Sequence, residues 1–228
     1  LLGEPALGIS LARHSEYSAF GGLGVALAAG GDVRGVLARI TRFHGLISSA
    51  VVPRLHEGEC DLTIEFARRG SHEPHPQAIL FVMASIVRML RFRIDRQLNP
   101  VAVSAPDLGA ACNAAMRRYF RCAITESAEF RLGFDAGAST AQLDASDPEM
   151  AAMLEATLSQ RLAAEEATPL SVRLAVWLET RLQEGEPSLA EAAEQCHLSP
   201  RSLQRRLRVP QTTFPKVLDN PRSALVER

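Results

Sequence analysis

From Asp61 to Phe66 the residues alternate strictly, with Leu62, Ile64 and Phe66 on one side and Asp61, Thr63 and Glu65 on the other. A period of two marks a strand that buries one face. Glu57-Gly58-Glu59 would turn it back against a second strand near Val51 to Leu55. Pro100-Val101-Ala102-Val103 predicts another short strand, and Ala128 to Phe134 and Thr140 to Leu143 predict two more, joined across Asp135-Ala136-Gly137. Elsewhere the apolar residues recur at helical spacing, so a sheet and helices must share the fold.

The first fifty residues read as helices around a glycine-rich turn, where Gly21, Gly22 and Gly24 interrupt the apolar pattern. Val33, Val36, Leu37 and Ile40 repeat at helical spacing after Asp32, which reads as an N-cap. After a loop with Pro74 and Pro76, a helix from about Gln77 to Arg93 is apolar nearly all round, at Ile79, Leu80, Val82, Met83, Ile86, Val87 and Leu90. Such a helix is central to a core. Asp107 to Tyr119 predicts a further helix, capped after Pro106. Asp147-Pro148-Glu149 opens one more, with cap, proline and acid in first-turn positions, running to about Ala164.

Glu165-Glu166-Ala167-Thr168-Pro169 is the clearest boundary, and the chain beyond it is all helical in pattern. Leu170 to Leu182 repeats Val172, Leu174, Ala175, Leu178 and Leu182 on a face that includes or adjoins Trp177, and Gly185-Glu186-Pro187 ends it. The expected organisation is an α+β domain over 1–164, built of helices and a mixed or antiparallel sheet, a linker over 165–169, and an all-α module over 170–228.

With 228 residues, 46% of them hydrophobic, the chain buries a core without difficulty. The longest apolar run, Ala78 to Val87, is stopped by Arg88 well short of the ~20 residues that a transmembrane helix needs. No membrane partner is expected, and the expected compartment is the cytoplasm. Cys60, Cys112, Cys122 and Cys196 show neither a CxxC pair nor clustering, which fits reduced thiols. Leu1-Leu2-Gly3-Glu4-Pro5 has no starting Met, basic region or apolar stretch, so no signal peptide is visible and the chain reads as a fragment with residues missing before Leu1.

The formal net charge of −1 conceals a division. From Ser188 to Arg228 there are seven basic residues (Arg201, Arg205, Arg206, Arg208, Lys216, Arg222, Arg228) and four acidic ones, giving +3, while the other 187 residues carry −4. Lys216 is the only lysine among 25 basic residues. Arginine suits bidentate contacts to phosphates and bases, although biased codon usage explains the preference more simply.

The segment from Ser188 to Arg208 has the anatomy of a helix-turn-helix. Ser188 with Glu191 forms a capping box, and the helix it starts would bury Leu189, Ala192 or Ala193, and Cys196. Small Ala193 lets a second helix cross closely. His197-Leu198-Ser199 makes the turn, Leu198 plugs the space between the helices, Ser199 caps the second helix and Pro200 takes its first position. Leu203 and Leu207 face inward. The outward face then carries Arg201, Ser202, Gln204, Arg205 and Arg208. Arg can grip guanine O6/N7, Gln can pair with adenine N6/N7, and Ser or Arg can hold phosphates. Ser199, Arg201, Ser202, Gln204, Arg205 and Arg208 are the candidate DNA-binding residues.

This pattern, continued by Thr212-Thr213-Phe214-Pro215-Lys216-Val217-Leu218-Asp219, resembles the first helix-turn-helix of the AraC/XylS transcriptional regulators. The preceding region resembles the effector domain of the subgroup typified by the ornithine-utilisation regulator and VirS. The residues that carry this second resemblance are Phe20-Gly21-Gly22-Leu23-Gly24, Thr41-Arg42-Phe43-His44, Asn99-Pro100-Val101-Ala102-Val103, Tyr119-Phe120-Arg121 and Ala128-Glu129-Phe130-Arg131-Leu132. The resemblance implies a sequence-specific DNA-binding regulator that responds to a small-molecule effector and binds double-stranded DNA as a homodimer, with RNA polymerase a further candidate partner. It also implies a second helix-turn-helix after a long connector. The chain stops at Arg228, inside that connector, and so reads as truncated after the first unit. Gln211 stands where the family has glycine, and Pro221 would kink the connector. The alternative is a truncated sensor or oligomerisation protein without autonomous DNA binding.

Other signals are weaker. His72-Glu73-Pro74-His75-Pro76 has the wrong histidine spacing for HExxH, and two prolines favour a loop, so no metal is expected. His44, beside Phe43, reads as a buried or interface histidine. Gly21-Gly22-Leu23-Gly24 is not GxGxxG, and close helix packing explains it better than phosphate binding. There is no G-x-S-x-G, P-loop or informative carboxylate pair. No catalytic residue or cofactor is expected, and the chain is not read as an enzyme.

Overall fold

The computed structural model describes residues 3–29, 31–48, 51–58, 61–68, 74–142, 147–182, 185–196, 198–208 and 212–219. The chain divides into two compact units, one formed by Leu1–Arg68 with Pro74–Gln160 and the other containing Arg161–Arg228.

The first unit is built on a five-stranded mixed sheet. Its strands are β1 (Val51–Glu57), β2 (Asp61–Arg68), β3 (Ala102–Ala105), β4 (Ile124–Glu126) and β5 (Phe130–Asp135), in the order β1-β2-β5-β3-β4. All neighbours are antiparallel except β3 and β4, which run parallel. The alternation at Asp61–Phe66 sets the register, pairing Leu62 with Phe134, Ile64 with Leu132 and Phe66 with Phe130. All six side chains are buried. A slip of one residue would turn each to the opposite face. Pro53 lies in the edge strand β1, where a missing N–H is tolerated.

Among the described residues, six helices accompany the sheet, α1 (Leu7–His14), α2 (Gly21–Ala29), α3 (Val33–Phe43), α4 (Pro76–Arg93), α5 (Ala110–Phe120) and α6 (Ala136–Ser139), and a seventh, α7 (Pro148–Ala167), starts in this unit and ends in the second. Asp32 caps α3 as expected, its Oδ1 accepting from the Gly35 N–H at 2.7 Å. Val33, Val36, Leu37 and Ile40 are buried. α4 buries eight residues and is the central helix that its composition predicts. α1 crosses it so closely that a Cβ on Gly8 would meet the Gln77 carbonyl oxygen and lie 2.9 Å from the Phe81 nitrogen. Cys112 is fully buried, and burial pushes its thiol up from the usual cysteine value.

Several boundaries differ from the sequence reading. The glycine-rich stretch is not a turn as a whole. Gly21 alone makes the bend, with φ +59° after a 3-10 turn at Tyr17–Phe20, whereas Gly22 and Gly24 lie inside α2. Gly22 faces Leu158 of α7, but a Cβ there would stand 3.6 Å from it, an ordinary contact, so packing does not demand glycine at this position. The helix expected from Asp107 begins instead at Ala110, because Asp107 spends its carboxylate on the Gly109 N–H and the Asn113 amide. The strand expected at Thr140–Leu143 reduces to a single bridge between Asp32 and Gln142, Leu143 lying outside the described residues. Asp135 caps the short helix α6 in place of that hairpin, accepting from the Ala138 N–H at 2.7 Å. β4 has no counterpart among the expected strands. Residues 165–167, expected in the linker, form the last turn of α7.

The second unit contains α8 (Leu170–Arg181), α9 (Leu189–Gln195), α10 (Pro200–Arg208) and a helical segment over 214–219. Leu174 and Leu178 of α8 are buried and Trp177 packs beside them, but Val172 is exposed, so the buried face is narrower than its spacing suggests. An α+β unit is thus succeeded by an all-helical one.

Candidate nucleic-acid interface and ligand cavity

α9 starts at the Ser188 capping box. The Ser188 hydroxyl accepts from the Glu191 N–H at 3.2 Å, and the Glu191 carboxylate accepts from the Ser188 N–H at 2.7 Å. Hydrogen bonding to the carboxylate from the Ser188 N–H first, and then from the Ser188 side chain, holds Glu191 below the usual carboxylate range. Ala192 and Ala193 are both fully buried, and Leu189 and Cys196 pack beside them. Leu198 also packs on this core, its N–H donating to the Ala193 carbonyl at 2.8 Å. His197, the expected first residue of the turn, lies outside the described residues.

Ser199 begins α10 by accepting from the Ser202 N–H at 3.2 Å. Pro200 is the first helical residue, as predicted. Leu203 and Leu207 are fully buried against Leu174, Leu178 and the two alanines, and Phe214, Val217 and Leu218 close the same cluster. Gln211 and Pro221 lie outside the described residues.

The six residues singled out by sequence divide into two sets. Arg201, Gln204, Arg205 and Arg208 are exposed. At about 100° per residue they fall within an arc of roughly 100°, opposite Leu203 and Leu207. Ser199 and Ser202 are half-buried, and their hydroxyls bond to each other at 2.9 Å. Those two hydroxyls serve the cap, whereas the other four side chains reach solvent. Arg206 is also exposed but sits outside the arc, nearer Leu203. α10 holds four arginines and no acid.

The first unit contains a cavity of about 280 Å³ that no sequence motif signals. It lies between the segment Ser15–Phe20, Leu27 of α2, and one face of α4. Its legible trace in the sequence is the pair of polar residues, Ser85 and Arg88, that interrupts the apolar run Ala78–Leu90 of α4.

His44 is half-buried, with Nδ1 2.8 Å from the Thr41 carbonyl oxygen and Nε2 buried without a partner among the described residues. His75 caps α4, its Nδ1 accepting from the Gln77 N–H at 3.2 Å, while His72 and Glu73 lie outside the described residues. Among the described residues no three His, Cys, Asp or Glu side chains are grouped to hold a metal, and no helix is long and apolar enough to cross a membrane.

Residues 1–143 match the family described as the N-terminal arabinose-binding domain of AraC transcription regulators. No curated protein matches the chain. In fold it is similar to the crystal structure of the transcriptional regulator CdpR from Pseudomonas aeruginosa, with a TM-score of 0.56 and 22% identity over 99% of this chain and 74% of that one. Both the matching family and the structural relative are transcription regulators. With 143 of its 228 residues matched, the chain belongs to the family defined by the N-terminal arabinose-binding domain of AraC transcription regulators.

Proposed function

We propose that the chain is a sequence-specific DNA-binding transcriptional regulator whose first unit responds to a small-molecule effector and whose α10 enters the major groove. The observation that carries this reading is the exposed, acid-free arc of Arg201, Gln204, Arg205 and Arg208 above the buried Leu203 and Leu207. Arginine and glutamine side chains on one face of a second helix can contact base edges, and the Ser199 end of that helix can approach a phosphate. The acidic charge of the remaining chain keeps that part away from the phosphate backbone. A homodimer would multiply affinity over paired half-sites. An effector would act through different affinities for two states of the regulator. The same reading takes the N-terminal region as the ornithine-utilisation/VirS type, places the protein in the cytoplasm and makes RNA polymerase a further partner.

The test is a mobility shift on promoter DNA over a salt series. Specific retardation that weakens with rising salt is expected, as for binding through phosphates. Arg205→Ala should reduce discrimination between sites by about 1–3 kcal/mol. If the Arg201→Ala, Arg205→Ala, Arg208→Ala triple variant retards DNA as well as the native chain does, the reading fails, leaving a sensor or oligomerisation protein.

A further inference from the structure

α4 is buried on most sides, yet it places Ser85, Arg88, Met89 and Phe92 along one stripe at helical spacing. All four line the 280 Å³ cavity. Two of them are polar, and neither is fully used by the protein. The Ser85 hydroxyl oxygen is buried and has no hydrogen-bond partner among the described residues, a condition native proteins rarely tolerate. The half-buried Arg88 guanidinium donates to the Ser15 carbonyl, and no carboxylate among the described residues pairs with it. A guanidinium has more N–H donors than one carbonyl can satisfy.

Apolar surface completes the cavity. Leu27, Ile86 and Met89 are buried beside it, whereas the Phe92 ring is 72% exposed. Glu16 is also exposed on the lining and opposes negative charge on any occupant, so the single Arg88 charge can offset one carboxylate but not two. Taking about 20–30 Å³ per non-hydrogen atom, with the share of a liquid water as the upper figure, 280 Å³ admits a molecule of about 9–14 such atoms.

We infer that this cavity binds a small amphipathic monocarboxylate, its carboxylate taken by Arg88 and the Ser85 hydroxyl and its alkyl or aryl body lying on Leu27, Met89 and Phe92. A carboxylate is the planar acceptor that suits an arginine fork, and the charge-assisted bonds strengthen as water is excluded. The hydrocarbon body covers the exposed ring. That such a molecule is the effector rests on the regulator reading; the binding itself does not.

Titration calorimetry on the full chain tests this with octanoate and 3-phenylpropanoate against octanamide and 3-phenylpropanamide, which match them in shape but carry no charge. At least one acid should bind with millimolar or tighter affinity and at least tenfold more tightly than its amide, with Arg88→Met abolishing the difference and Arg88→Lys keeping part of it. Equal affinity for acid and amide, no binding of either acid, or an undiminished preference in Arg88→Met overturns the proposal. The acid and amide comparison on the native chain decides the matter even if Arg88→Met does not fold. A parallel mobility shift separates the two readings. Acids that bind without altering DNA retardation leave the cavity assigned and remove its regulatory role, whereas DNA binding with no acid bound removes the cavity assignment alone.

Discussion

Glu65 and Arg131 stand directly opposite each other on β2 and β5, with Arg131 Nε donating to Glu65 Oε2 at 2.9 Å on the face away from the core. The carboxylate is nearly buried, at 9% side-chain exposure, while the arginine is 43% exposed. The two halves of the pair therefore differ in cost. Arg131→Ala strands a buried charge with only Arg54 at 3.7 Å and His56 at 3.8 Å nearby among the described residues, whereas Glu65→Gln leaves an arginine that already reaches water and still pairs with Glu129. Allowing for that exposure, we expect urea unfolding to show a loss of about 2 kcal/mol for Arg131→Ala and about 1 kcal/mol for Glu65→Gln. Equal losses would mean that the carboxylate is better solvated than its burial indicates.

α10 predicts a sharp division between stability and recognition. Leu207→Ala removes a fully buried side chain from the cluster around Leu174 and Leu178 and should cost about 2–5 kcal/mol. Arg205→Ala, on the exposed side of the same helix, should stay within about 0.5 kcal/mol of the native stability. Denaturation monitored by circular dichroism reads both. A large loss for Arg205→Ala would make its effect on DNA binding uninterpretable as readout.

The capping box makes the second unit sensitive to acid. Ser188→Ala should cost about 1 kcal/mol at neutral pH, the usual value of a lost N-cap. For Glu191 the folded carboxyl titrates below its unfolded value, first because the Ser188 N–H bonds to it and then through the Ser188 hydroxyl, with the Arg181 charge adding in the same direction. The folded state thus holds the proton less tightly. Its contribution is complete above the unfolded value and fades as pH falls through the lower folded one. The native chain should lose more melting temperature between neutral and acidic conditions than Glu191→Gln does. Parallel curves for the two would remove Glu191 as a source of acid sensitivity.

Gly8 fixes how closely α1 lies on α4. Its N–H donates to the Gln77 side-chain oxygen at 2.9 Å, and a Cβ there would collide with backbone that has no side-chain freedom to yield. Gly8→Ala should therefore destabilise by about 1–3 kcal/mol despite the better helix propensity of alanine. A stabilised variant in thermal unfolding would show that the two helices can separate at little cost.

The readable parts of the fold are those where local pattern and tertiary burial agree. Leu62, Ile64 and Phe66 alternate because one sheet face is core, and the same constraint acts on Phe130, Leu132 and Phe134 across the ladder. The α9–α10 hairpin is legible because Ser188, Ser199 and Pro200 mark their helix starts within a few residues. β4 has no such signature. Its three residues, Ile124–Glu126, are mostly exposed and are held by parallel pairing with β3, a contact set by chain far away in sequence. At Asp135 the side chain captures the Ala138 N–H and starts a helix where apolar pattern alone suggests a hairpin. The cavity is the least legible feature, since its walls come from residues 15–27 and 85–92 and meet only in the folded chain.

α10 rests on the core through Leu203 and Leu207, with Ala192 and Ala193 giving it a flat seat. Its arginine-bearing side contributes nothing to that seat. The support can therefore stay fixed while the outer residues change, so Arg201, Gln204, Arg205 and Arg208 can each be replaced without passing through an unstable intermediate.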